Sequence, residues 1–108
     1  MKKVLTILFL CFALVSYSQT KSDEVKSYIN IGYNYLQQKS LSKAITSFEK
    51  AQKLLPDYPY TYYYLCMSYV AKKDSKKAII YYNEFKRLAS EEKELQFDLR
   101  CAMNSIKK

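Results

Sequence analysis

The sequence predicts an all-α fold built from one helix-pair unit that occurs twice in tandem. Three observations lead there. A single Gly and two Pro in 108 residues leave few turn-formers for an all-β fold. The apolar residues recur at helical spacing through most of the chain. The order of residue types then repeats at an offset of 34. A hydrophobic content of 49% with 16% aromatics excludes a disordered or low-complexity chain, and the length fits one domain.

The first residues stand apart. Lys2-Lys3 followed by the apolar run Val4 to Val15 reads as the leader of an exported protein. Ser16 and Ser18 put small residues at minus three and minus one, so cleavage is expected after Ser18, with 1–18 as signal peptide. The run is short of the roughly 20 apolar residues that span a bilayer, so no transmembrane segment is expected once the leader is removed. Leu8-Phe9-Leu10 before Cys11 lacks the small residues of a lipoprotein box. The expected location is periplasmic or extracellular. Removal leaves 16 basic against 10 acidic residues, a balance of +6, and two cysteines, Cys66 and Cys101. In an oxidising compartment these could pair; buried free thiols are the alternative.

After a lead-in at 19–24, Val25, Tyr28, Ile31 and Tyr35 stripe a first helix, and Leu41, Ala44, Ile45, Phe48, Ala51 and Leu55 a second. The break falls at Gln38-Lys39-Ser40, with Ser40 as N-cap. Pro56-Asp57-Tyr58-Pro59 stops the second helix, because proline disfavours helical geometry in the residue before it. The third carries Tyr62, Leu65, Cys66, Tyr69 and Val70 to about Lys72. Asp74 offers an N-cap for a fourth with Ala78, Ile79, Tyr82, Phe85 and Leu88. Ser90 with Glu91, Glu92 and Glu94 is read as the start of a fifth, striped by Leu95, Leu99, Ala102, Met103 and Ile106. At the 34-residue offset Tyr28 meets Tyr62, Tyr35 meets Tyr69, Lys43 meets Lys77, Ala44 meets Ala78 and Leu54 meets Leu88.

With Tyr28, Ile31, Gly32, Tyr35, Ala44, Phe48, Ala51 and Pro56 at fixed offsets, residues 25–58 resemble the tetratricopeptide repeat. Residues 59–92 resemble a degenerate second copy. It keeps Tyr62, Leu65, Tyr69, Ala78 and Tyr82, with Cys66 for the glycine, Phe85 for the second alanine and Ser90 for the proline. Residues 93–108 resemble the family's C-terminal capping helix. The resemblance implies a short α-solenoid, or alpha-alpha superhelix, whose matching residues pack the core. Bulky Phe85 would alter how the fifth helix closes. So short an array implies a homodimer or an obligate partner.

The resemblance also implies binding of an unidentified protein or peptide in a concave groove lined by the first helix of each repeat. Its positions are Lys26, Ile29, Tyr33, Leu36 and Gln37, then Tyr60, Tyr63, Met67, Val70 and Ala71, an aromatic and apolar set suited to recognition. Phe97 and Cys101 of the fifth helix could instead cover it. Chaperone-binding members use Lys and Asn where Ile29 and Tyr33 stand, so that specialisation is not supported. A basic edge at Lys39, Lys43, Lys72, Lys73, Lys76 and Lys77 offers docking to an anionic envelope surface or polymer, or ordinary solvation; nucleic acid is improbable behind an export leader. No His is present, so the usual general base and imidazole ligand are missing. Cys66 sits at a packing position with no base to activate it. No enzyme activity, cofactor or metal is expected.

Overall fold

The computed structural model describes residues 21–106, and the leader assigned to 1–18 lies outside them. Five helices follow in order: α1 over 21–37, α2 Leu41–Leu54, α3 Pro59–Ala71, α4 Ser75–Leu88 and α5 Lys93–Ile106. Sequential helices pack as adjacent pairs, and α5 lies against both α3 and α4. This is an all-α helical repeat solenoid. Helix α1 takes in residues 21–24 of the expected lead-in.

Each boundary has a local cause. The two turns inside the repeats are built alike, 34 residues apart. Lys39 and Lys73 both adopt the left-handed conformation, at φ 63° and 64°. Each is held by a pair of backbone hydrogen bonds that satisfy the last carbonyls of the preceding helix. Lys39 N–H donates to Leu36 and Ser40 N–H to Tyr35; Lys73 N–H donates to Val70 and Asp74 N–H to Tyr69. The Asp74 carboxylate caps α4 by accepting from the Lys77 amide at 3.2 Å. Ser40 makes no such bond, so the expected cap at α2 is absent. Pro59 occupies the first turn of α3, where its missing N–H is no loss. Ser90 does not start α5. That helix begins three residues later, and the Gln96 side chain, buried, donates to the Ala89 carbonyl at 2.9 Å.

The core contains Val25, Ala44, Phe48, Ala51, Leu65, Cys66, Ala78, Phe85, Leu99 and Met103. Burying each of the large ones is worth about 1.5–3 kcal/mol. Gly32 explains how α1 and α2 come so close. A Cβ built there would fall 2.5 Å from the Phe48 ring, so only glycine fits. Cys66 takes the equivalent place in the second unit and is wholly buried. Phe85 of α4 is wholly buried, its ring against Tyr60 and Tyr63 of α3.

Position in the array decides the rest. Tyr62, Leu65 and Tyr69 are buried beneath α2, but their counterparts Tyr28, Ile31 and Tyr35 are not. Ile31 is 43% exposed and the two tyrosines half-buried, because no described helix stands before α1. The expectation that all three would be core residues is corrected accordingly.

Candidate functional site

The face of α1 and α3 carries aromatic rings in contact with one another and with Phe48 of α2 and Phe85 of α4. Tyr33 meets Tyr64 edge-on at 5.9 Å, and Tyr64 stacks on Phe48 at 5.4 Å and 15°. Tyr63 meets Tyr64 at 5.3 Å and Phe85 at 5.7 Å; Phe85 in turn meets Tyr60 at 6.4 Å. Edge-to-face and offset contacts of this kind add about 0.5–1.5 kcal/mol per pair beyond area burial. The rings are therefore fixed by one another. A partner would meet a surface already ordered.

The residues predicted for the groove divide in two. Tyr33, 43% exposed, presents its ring to solvent, and its hydroxyl accepts from the Gln37 side chain at 2.9 Å. Tyr60, Tyr63 and Met67 are half-buried on α3 and keep part of their surface free. Ile29 does not belong with them. At 8% exposure it is a core residue under the cleft, because α1 turns that position toward α3. That cleft, about 310 Å³, is lined by Lys26, Ile29, Asn30, Tyr58, Tyr60 and Tyr64.

Helix α5 borders this face without hiding it. Phe97 is 57% exposed and Cys101 is exposed, so neither covers the tyrosines. The buried side of α5 is instead Gln96, Leu99 and Met103, one stripe of the helix, which turns Phe97 outward. Arg100 lies over the Phe97 ring at 5.9 Å. Phe97, Lys93, Glu94, Asp98 and Arg100 line a further cleft of about 450 Å³.

Carboxylates tune this end. The Tyr60 hydroxyl donates to Glu92 at 3.0 Å, and that hydrogen bond to a carboxylate raises the phenol above its usual range. Burial does the same to Tyr63 and Tyr64, with Asp98 adding to the effect on Tyr63. All stay neutral donors at ordinary pH. Tyr64, absent from the sequence prediction, is the hub of the ring chain. Its counterpart in the first unit is Asn30, so the repeat pattern carried no aromatic signal for it.

The thiols separate. Cys66 is buried, with burial pushing its thiol up to about 12, and Cys101 is exposed; both are free. The disulfide considered from sequence does not form, since α5 turns Cys101 to solvent. Among the described residues no group of three or more His, Cys, Asp or Glu could hold a metal ion. The basic edge is partly spoken for. Lys39 and Lys73 shape the turns, while Lys43 lies over the Tyr35 ring at 5.7 Å and Lys77 over Tyr69 at 5.4 Å.

A model of the tetratricopeptide repeat family matches residues 25–58, the segment that holds Gly32, Phe48 and the left-handed turn. This segment is similar to a tetratricopeptide repeat. The helices that follow are consistent with further repeats of the same type. No curated protein sequence matches the chain. Tetratricopeptide repeats bind proteins or peptides and are generally scaffolds rather than enzymes. No described helix is long and apolar enough to cross a membrane.

Proposed function

We propose that the chain is an exported, non-enzymatic adaptor that binds a protein partner along the aromatic face of α1, α3 and α5. The observation that carries this reading is the fixed tyrosine network on α1 and α3, open to solvent at Tyr33, with a separate exposed ring, Phe97, on α5. Rigid aromatic groups offer large contact area at low entropic cost, which is what recognition surfaces use. Charges of both signs flank Phe97, Glu94 and Asp98 beside Lys93 and Arg100, so the apolar rings and not net charge set the preference for a partner. Export rests on Lys2-Lys3 and the apolar run behind them. Docking to an anionic surface through the turn lysines is the second reading, and less favoured, because solvation alone accounts for lysines at exposed turns.

The test is capture of partners from envelope extract by the chain and by a Tyr33→Ala, Phe97→Ala double variant. Both side chains are exposed, so the fold should survive, with circular dichroism as the check. A specific protein retained by the parent and lost by the variant supports the assignment. Equal recovery by both removes it.

A further inference from the structure

In the second repeat unit Tyr81 projects from α4 into the space between Tyr62 and Tyr69 on α3. The three rings form a stack, with centroids 6.2 Å and 5.5 Å apart and planes 26° and 7° from parallel. The 34-residue offset places Ser47 where Tyr81 would be. The first unit thus has the two outer rings, Tyr28 and Tyr35, without the middle one. A cleft of about 440 Å³ opens there, bounded by Tyr28, Ile31, Tyr35, Lys43, Ser47 and Lys50 among others.

The surroundings show what this slot accepts. Lys43 lies over Tyr35 just as Lys77 lies over Tyr69, at 5.7 Å and 5.4 Å, so the two frames match. Lys50, 5.7 Å from the Tyr28 ring, replaces Glu84 of the second unit. Neither Lys43 nor Lys50 forms an ion pair among the described residues. Ile31, equivalent to the buried Leu65, is left exposed beside the opening. An incoming ring would stack between two phenols, and carboxylates beside it would meet two lysines.

We infer that the slot between Tyr28 and Tyr35 is a binding site for an aromatic side chain presented by an acidic segment of a partner polypeptide, entering as Tyr81 does in the second unit. It lies between α1 and α2, apart from the face of α1, α3 and α5, and does not depend on binding there.

The probe is the peptide acetyl-Glu-Tyr-Ala-Ala-Glu-amide, titrated into the chain while the ring signals of Tyr28 and Tyr35 are followed by NMR. Those signals should shift on binding. Replacing the peptide's Tyr by Leu, or both Glu by Gln, should weaken binding about tenfold. Ser47→Tyr supplies the missing ring from within, so it should raise Tm and abolish the shifts. Lys43→Glu with Lys50→Glu, two exposed changes, should also weaken binding and covers the case in which Ser47→Tyr fails to fold. Equal affinity of the Tyr and Leu peptides, or unchanged affinity in the charge-reversed chain, would overturn the inference. So would self-association that Ser47→Tyr abolishes, since the occupant would then be a second copy.

Discussion

Replacing Gly32 by Ala sets two effects of opposite sign against each other. In an exposed helix interior the change stabilises by about 1 kcal/mol, because glycine has more backbone freedom to lose. Here the added methyl would lie 2.5, 2.8 and 2.8 Å from three atoms of the Phe48 ring. Ordinary contact begins near 3.5 Å, so the ring or the helix must move by about 1 Å. Phe48 has little room. It is completely buried, and Tyr64 is stacked on its ring. Overpacking of this kind costs about 1–3 kcal/mol, and a boxed-in ring belongs at the upper end. The net expectation is destabilisation of about 2 kcal/mol, read from urea unfolding followed by circular dichroism. A Phe48→Leu partner change sharpens the test, since the smaller side chain makes room for the methyl. Gly32→Ala should then cost less in the Phe48→Leu background than in the parent, so that the double variant loses less stability than the two single changes summed. Unchanged or raised stability in the single variant would refute the claim that ring contact, and not backbone freedom, selects glycine.

Lys39→Gly and Lys73→Gly should each stabilise the chain by up to about 1 kcal/mol, because a side chain at φ near 64° carries a steric penalty that glycine lacks; thermal melts decide it. Cys101 should react with a thiol reagent at once, and Cys66 only on unfolding, its buried thiol held at about 12; two fast thiols in the native chain would contradict the core packing. Tyr60, Tyr62, Tyr63, Tyr64 and Tyr81 are all raised above 10.0 in the fold. Their contribution to stability is present below pH 10.0 and is lost as pH rises through the folded values. Tm should therefore hold to about pH 9 and fall above pH 10, in step with phenolate absorbance.

Most of the fold was legible in the residues, because tandem helices repeat both their stripes and their turns. Gly32, Ala44 and Phe48 announced the close approach of α1 and α2, and Asp74 its own cap. What the pattern could not carry was position in the array. Tyr28, Ile31 and Tyr35 obey the same spacing as Tyr62, Leu65 and Tyr69, yet among the described residues only the latter have a helix before them to bury against. The binding face was half legible. Tyr33 and Tyr63 were found, whereas Ile29 turned inward. Tyr64 was missed because its place in the first unit holds Asn30. On the last helix the aliphatic stripe through Leu99 and Met103 was legible and turns Phe97 outward, whereas the buried Gln96, which donates to the Ala89 carbonyl, was not.

Tyr64 also bears on how the molecule comes apart. A repeat array whose units touch weakly can lose its end unit while the remainder stays intact, giving a broad, multi-step melt. Here a single side chain on α3 is in ring contact with α1 through Tyr33 and with α2 through Phe48. Withdrawing the first helical hairpin would strip that ring on two sides at once. The two hairpins are therefore expected to melt together in one transition, with Tyr64→Ala broadening it.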